Sequence, residues 1–190
     1  MSLTGVKSGR DRALDAALAV LRNSGASGVT MRGIADVAGM TAPALYWHYA
    51  DKDALLRDLN REVAALCRDR IHDELGDGAP LDRLRNALET FRRFAVSEPH
   101  YYEALFVVAA PDGSARRSSG LLRILDELIR ECIRHRLLVE DDPADLALTV
   151  AAHVQGLIQL YRRDRFESEE RFADFFERSV DRLLKGIARE

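Results

Sequence analysis

The chain has 190 residues, of which 47% are hydrophobic and 31% charged, a balance typical of a folded globular protein with one or two small domains. Its 28 lysines and arginines and 31 acidic residues give a formal charge of −3, which as a bulk value argues mildly against a nucleic-acid partner. Two cysteines are too few for a disulfide framework or a zinc site. The N-terminal residues lack the apolar region and cleavage site of a secretion signal, and the longest apolar run, Ala104 to Ala110, is far short of a membrane span. A soluble cytoplasmic protein with reduced thiols is therefore expected.

Apolar residues recur at helical spacing along nearly the whole chain, and no segment alternates long enough to predict a strand. Ser, Thr and Asp stand at positions suited to helix caps, and Gly or Pro marks the breaks. The predicted helices lie at about 9–24, 31–38 and 42–49, after Asp51, from Pro80, from Pro99, and at 121–138, 143–163 and 169–188, with a loop over 111–119. The pattern thus predicts an all-α fold of about nine helices without a sheet.

The second and third predicted helices are very short and almost contiguous. Thr30 and Gly39 bound the first of them, and Thr41 caps the second, with Pro43 in its first turn. Two short helices joined by a glycine-containing turn are typical of a helix-turn-helix, in which one helix enters the DNA major groove while its other face packs on the scaffold. The predicted packing residues are Ile34, Val37, Ala38 and Leu45.

The run from Val29 to Leu56, VTMRGIADVAGMTAPALYWHYADKDALL, resembles the DNA-binding segment of the TetR family of bacterial one-component transcriptional regulators. Its Thr-x-Arg-x-Ile-Ala, Ala-Gly-Met-Thr and Leu-Tyr-Trp-His-Tyr-x-x-Lys-x-x-Leu-Leu segments carry the resemblance, which covers the first third of the chain. The remaining two-thirds resembles the family in helix count and helix lengths. The resemblance implies a three-helix DNA-binding domain over residues 1–52 and a helical effector-binding and dimerisation domain over residues 53–190.

Individual roles in DNA binding follow from the same resemblance. Thr30 and Thr41 would contact phosphates besides capping helices, or would act as caps alone, and Arg32 would hold a guanine through its O6 and N7 atoms. Ala42 and Ala44 stand where a family member can carry polar readers, so hydrogen-bonded base readout would depend mainly on Arg32. The implied DNA-contacting residues are Thr30, Arg32, Thr41, Ala42, Pro43, Ala44, Tyr46, Trp47, His48 and Lys52.

The aromatic residues of this segment allow two interpretations. Aromatic side chains at helical spacing are usually core, which is expected for Tyr49 and in part for Trp47, whereas the resemblance favours DNA contact for Tyr46.

Residues 1–50 carry five basic and three acidic groups, a net charge of +2 that leaves −5 for the remainder. The bulk charge is therefore an average over a mildly basic N-terminal segment and an acidic body.

Aromatic side chains with polar tips concentrate on the central helices, as in small-molecule pockets. The resemblance implies a small, largely apolar effector, although plain core is the alternative for each of these residues. The candidate pocket residues are Cys67, Phe91, Phe94, His100, Tyr101, Tyr102, Phe106 and Cys132.

The last two predicted helices bear more apolar surface than a monomer needs to hide. The resemblance implies that they pair with the same helices of a second copy as a four-helix bundle, and an intramolecular core is the alternative. The candidate interface residues are Ala151, His153, Val154, Leu157, Phe172, Phe176, Val180 and Leu183.

The function implied is that of a ligand-responsive regulator, most often a repressor in this family. As a homodimer it would bind a palindromic operator of double-stranded DNA, be released by its effector, and need no cofactor, metal or membrane. A helical adaptor or binding protein that reuses the fold without operator binding is the alternative. An enzyme is not expected, because the sequence has no His-Glu-x-x-His, no phosphate-binding glycine loop and no Cys/His metal spacing.

Overall fold

The computed structural model describes residues 7–107 and 120–189, and these residues form nine helices. The helices are α1 (Gly9–Gly28), α2 (Met31–Ala38), α3 (Ala42–His48), α4 (Lys52–Glu74), α5 (Pro80–Ser97), α6 (Pro99–Val107), α7 (Gly120–Arg134), α8 (Pro143–Arg162) and α9 (Glu169–Gly186). An isolated bridge joins Leu138 to Ala188, and no sheet occurs among the described residues. The all-α prediction is confirmed, and the loop predicted over 111–119 lies outside the described residues.

By contact density the chain divides into two compact units. The first comprises Met1–Ala65 and Glu98–Gly113, and the second comprises Leu66–Ser97 and Ser114–Glu190. Helix α6 therefore belongs to the same unit as α1, α2 and α3, although α5 separates them in sequence. The division of the chain at residues 52 and 53 remains a prediction.

Two helix ends bear on the pattern-based prediction. The predicted end of the first helix before Gly25 coincides with a break in α1, where Gly25 has φ = 67°, and a further short helical stretch continues to Gly28. Helix α7, in contrast, ends at Arg134 rather than at 138, because Arg136 adopts φ = 59° and the chain beyond it pairs with the C-terminal segment. Apolar periodicity does not encode a left-handed conformation at a residue other than glycine.

The buried stripe of α4 differs at its ends from one that helical spacing would also allow. A spacing of three and four residues places Leu56, Leu59, Val63 and Leu66 on one face, but Leu66 is exposed and Leu56 is half-buried. The buried residues of this helix follow a spacing of four: Leu55, Leu59, Val63, Cys67 and Ile71. Adjacent leucines at 55 and 56 and adjacent apolar residues at 66 and 67 make the sequence ambiguous between the two stripes.

Each unit buries its own core. In the first unit, α1 packs against α2, α3 and α6, with small residues such as Ala13 and Ala17 fully buried where the helices approach closely. In the second unit, α7 packs on α5 and α8, and α9 packs on α8, where the ring of Phe172 stacks on that of Tyr161. No helix in the described part of the chain is long and apolar enough to cross a membrane.

Candidate nucleic-acid interface

Two side-chain caps define α2 and α3. The hydroxyl of Thr30 accepts a hydrogen bond from the backbone N–H of Gly33 at 3.1 Å, and that of Thr41 accepts one from Ala44 at 3.3 Å. Between the helices, Gly39 adopts the left-handed conformation with φ = 64°, which a residue with a side chain rarely tolerates. Local interactions thus determine where the two helices begin and where α2 ends, in agreement with the predicted bounds of α2 and the predicted start of α3; α3 ends at His48, one residue before its predicted end.

One face of this helix pair is buried and the other is open. Ile34, Ala35 and Leu45 are buried, so the predicted packing face is confirmed at Ile34 and Leu45. Val37, in contrast, is 59% exposed, and its assignment to the packing face is wrong. The reason is that α2 packs on α1 and α3 along its Ile34–Ala35 edge, and Val37 lies outside this contact.

All ten residues with a predicted role in DNA binding are accessible. Exposed side chains are Thr30, Arg32, Thr41, Pro43, Tyr46, Trp47 and Lys52, and half-buried ones are Ala42, Ala44 and His48. This placement meets the first requirement for contacting DNA, and the individual contacts remain predictions.

An exposed aromatic pair lies on α3. Trp47 is 84% exposed and Tyr46 is 52% exposed, so the partial core role expected for Trp47 is wrong. Tyr49, one residue beyond the helix, is buried as expected, and burial raises the pKa of its hydroxyl. Large aromatic surface left in water is costly and is typical of a binding face rather than of a core.

The buried Tyr49 is held by a charged cluster that the sequence pattern did not indicate. The guanidinium of Arg10 lies 4.9 Å from the centroid of the Tyr49 ring and donates to Asp58 at 2.5 Å. Asp58 is largely buried and also accepts a hydrogen bond from Arg61. The cluster connects α1, the end of α3 and α4, and no local spacing in the sequence predicts it, because Arg10 and Asp58 are 48 residues apart.

The candidate effector residues divide between the two units. Cys67, Phe91, Phe94 and Cys132 are buried in the second unit, and burial raises the thiol pKa of Cys67 to about 12 and that of Cys132 to about 11. The remaining four belong to α6 in the first unit: His100, Tyr101, Tyr102 and Phe106. Their roles as ligand contacts remain predictions.

Within the first unit, side-chain hydrogen bonds join α6 to α1 and α4. The hydroxyl of Tyr101 donates to the backbone carbonyl of Leu18 in α1 at 3.2 Å, and the side-chain amide of Asn60 in α4 donates to the carbonyl of Ala104 at 2.5 Å. His100 packs so closely on α1 that its Nδ1 would lie 3.0 Å from a Cβ at Gly25. Tyr101 and His100 therefore contact the scaffold of the helix-turn-helix.

A cavity of about 550 Å³ in the second unit lies between α5 and α9. Its apolar floor includes Phe176 and Val180, and its rim carries carboxylates such as Asp82 and Glu177. None of the eight candidate effector residues lines this cavity.

The candidate dimer residues are mostly buried within the single chain. Ala151, Val154, Leu157, Phe172, Phe176 and Val180 are buried, and His153 and Leu183 are half-buried. The imidazole of His153 lies 3.0 Å from the hydroxyl of Ser179, between α8 and α9. The large apolar side chains that α8 leaves exposed are Leu148 and Leu160, at 54% and 45%.

Comparison with known proteins supplies the family context. Residues 13–59 match the family described as bacterial regulatory proteins, tetR family, and residues 84–183 match that described as tetracyclin repressor-like, C-terminal domain. The second match alone covers more than half of the chain.

Individual relatives agree with these matches. The chain is 38% identical over 84 residues to the class D tetracycline repressor protein of Escherichia coli, an alignment covering 44% of this chain and 38% of that repressor. It is 28% identical to the HTH-type transcriptional regulator AcrR of Shigella flexneri over 87% of this chain and 85% of the other. The first is named as a repressor and the second as a transcriptional regulator.

The fold also matches a solved structure over its whole length. A protein of unknown function from Rhodococcus sp. RHA1 superposes with a TM-score of 0.81 at 17% identity, covering 100% of both chains. At this identity the match concerns the fold alone.

Proposed function

Because the chain belongs to the TetR family of bacterial regulatory proteins, we propose that it is a dimeric, effector-responsive transcriptional repressor. The observation that carries the proposal is the open face of α2 and α3, where Arg32, Tyr46 and Trp47 are exposed on helices capped by Thr30 and Thr41. The opposite face of the same helices is buried in the first unit, so α3 can present its outer side chains to a major groove.

In the proposed complex, base readout and backbone contact are divided among the exposed residues. Arg32 is exposed at the start of α2 and would donate two hydrogen bonds to O6 and N7 of a guanine. Ala42 and Ala44 offer only methyl groups, which suit thymine methyls. Phosphate contacts, which fix the register, would come from residues such as His48 and Lys52.

A second copy would supply the second recognition helix. Two such helices on one face of a duplex read half-sites about 34–36 Å apart, so the operator would be palindromic. The exposed Leu148 and Leu160 on α8, with the half-buried His153 and Leu183, offer the surface for pairing α8 and α9 with their counterparts.

The effector would act through α6. Hydrogen bonds of Tyr101 and Asn60 join this helix to α1 and α4. Because α1 packs on α2 and α3, a shift of α6 would be transmitted to them. A change in the separation of the two recognition helices that costs about 1–3 kcal/mol is enough to alter operator affinity by one to two orders of magnitude.

The proposal is tested by selecting fragments of genomic DNA from the source organism with the purified protein. We expect recovery of a palindromic duplex, tight binding in fluorescence anisotropy, and a steep loss of affinity between about 50 and 200 mM salt. A screen of small apolar compounds should then find one that releases the duplex. Failure to bind any duplex would instead favour the helical adaptor.

A further inference from the structure

The imidazole of His48 occupies the space beside Gly9 where any other residue would carry a side chain. Gly9 is the first residue of α1, and His48 is the last residue of α3. A Cβ at position 9 would overlap Nε2 of His48 and lie 3.0 Å from its Cε1. The ring therefore rests on the first turn of α1 only because residue 9 is glycine.

The start of α1 is itself fixed, so the support for His48 has a defined position. Ser8 and Asp11 form a reciprocal capping box, in which the N–H of Asp11 donates to the Ser8 hydroxyl and the N–H of Ser8 donates to the Asp11 carboxylate, both at 3.1 Å. The hydroxyl of Ser8 also donates to this carboxylate at 2.8 Å and holds the pKa of Asp11 below its ordinary value. These bonds set the residue at which the helix begins.

Arg10, which follows Gly9 in the first turn of α1, contacts Tyr49, which follows His48 after the end of α3. Arg10 lies over the Tyr49 ring and pairs with Asp58, so the first turn of α1 contacts two consecutive residues, His48 and Tyr49. Tyr49 is buried, whereas His48 is half-buried, with its ring centroid 4.9 Å from that of the exposed Trp47. One of the two supported side chains is thus core and the other is half-buried, beside an exposed tryptophan.

We propose that Gly9 is a positioning residue for DNA binding. It lies outside the α2 and α3 motif and sets the orientation of His48 toward the DNA backbone. The inference rests on the proposed function, since it assigns Gly9 a role in the phosphate contact of His48. A methyl group at position 9 would rotate the imidazole away from its place while leaving the capping box of α1 intact.

The test is a double-mutant cycle with Gly9→Ala, His48→Ala and the double variant, using the duplex that the parent protein selects from genomic DNA. We expect Gly9→Ala to weaken binding at least about tenfold, as for loss of a hydrogen bond to a charged group. In the His48→Ala background the same substitution should change affinity less than about twofold. Equal losses in both backgrounds, or no loss from Gly9→Ala or His48→Ala alone, would overturn the inference.

A measurement without DNA separates this inference from the proposed function. Trp47 is the sole tryptophan of the chain and adjoins the His48 ring, so its fluorescence reports the position of the imidazole. We expect Gly9→Ala to change the emission of Trp47 and to leave the melting temperature unchanged or slightly higher, because alanine is the better helix former. If the parent binds DNA and Gly9→Ala leaves the emission unchanged, the inference is overturned and the proposed function stands. If the parent selects no duplex, the proposed function and the inference are both overturned.

Gly78→Ala is the matched control. Gly78 lies in the segment before α5, where a Cβ would be at an ordinary distance of 3.7 Å from the Cβ of Asp82. We expect this variant to keep both the Trp47 emission and the affinity of the parent. A loss of affinity in Gly78→Ala equal to that in Gly9→Ala would assign the effect to the glycine substitution in general and would overturn the inference.

Discussion

Arg22 and Glu98 join α1 to the residue that precedes α6. Nε of Arg22 donates to Oε2 of Glu98 at 2.9 Å, and Nη2 donates to Oε1. A guanidinium that contacts both oxygens of a carboxylate fixes the relative orientation of the two side chains. The pair therefore adds a directional contact to the hydrogen bond from Tyr101 to Leu18 at the same helix interface.

Arg22→Ala should loosen α6 without unfolding the chain. The guanidinium is exposed, and exposed ion pairs contribute little to global stability, so the melting temperature should stay close to that of the parent. Amide hydrogen exchange should become faster in α6 and stay unchanged in α2 and α3. Arg12→Ala, which removes an exposed charge from the same helix, is the control and should leave α6 protected. Unaltered exchange in α6 of Arg22→Ala would show that this pair does not hold the helix.

The parts of the fold that the sequence predicted are those determined by local interactions. The bounds of α2 depend on Thr30 at one end and Gly39 at the other, and both signals lie within a turn of the residues they affect. Contacts between distant residues left no such signal. Gly9 approaches His48, and Arg10 pairs with Asp58, across long stretches of sequence that show no periodicity relating the two partners.

The exposed face was harder to predict than the helices that carry it. Periodicity shows that one side of a short helix is apolar, but a helix of eight residues has too few turns to decide which apolar residue lies at the edge. The pattern therefore assigns Val37 to the packing face and Trp47 partly to the core, whereas both are exposed. The prediction of Tyr49 as core is confirmed: its N–H donates to the carbonyl of Leu45 one turn earlier, and both side chains are buried.

Protonation of Glu74 should make the second unit less stable in acid. Burial raises the pKa of this carboxyl, but the hydrogen bond from Thr90 and the nearby guanidiniums of Arg93 and Arg70 outweigh burial, and the net pKa is below the ordinary value. A carboxyl with a depressed folded-state pKa stabilises the fold above its unfolded-state pKa, and this contribution is lost as the pH falls through the folded-state value. The free energy of unfolding should therefore begin to fall as the pH drops below the ordinary pKa of a glutamate, about 4.3.

The measurement is urea unfolding of the parent and of Glu74→Gln at pH 7 and at pH 4. Glu74→Gln should be less stable than the parent at pH 7, and the difference should shrink at pH 4, because the glutamate of the unfolded chain is then largely protonated. Asp73→Asn, a substitution of the exposed neighbouring carboxyl, is the control. A difference between parent and Glu74→Gln that is the same at both pH values would contradict the assignment.

Leu148→Glu should dissociate the proposed dimer. Leu148 is exposed in the single chain, and in a paired α8 it would be covered, so a glutamate there would bring an unpaired charge into the interface. We expect the dissociation constant to rise at least about a hundredfold, as measured by sedimentation equilibrium. Leu66→Glu, at an exposed leucine on α4, should remain dimeric, and equal effects of the two substitutions would exclude α8 as the specific interface.

Arg32 should determine which base pairs the protein distinguishes. Its side chain is exposed at the start of α2, so Arg32→Ala should leave stability unchanged while weakening binding to the selected duplex by about 1–3 kcal/mol. Arg32→Lys keeps the positive charge but cannot form the two parallel hydrogen bonds to a guanine, because an ammonium lacks the planar fork. In fluorescence anisotropy it should therefore keep the parental salt dependence and lose discrimination against duplexes in which a guanine of the half-site is replaced. Parental discrimination in Arg32→Lys would assign base readout to other residues of the exposed face, with Tyr46 and Trp47 the next to substitute.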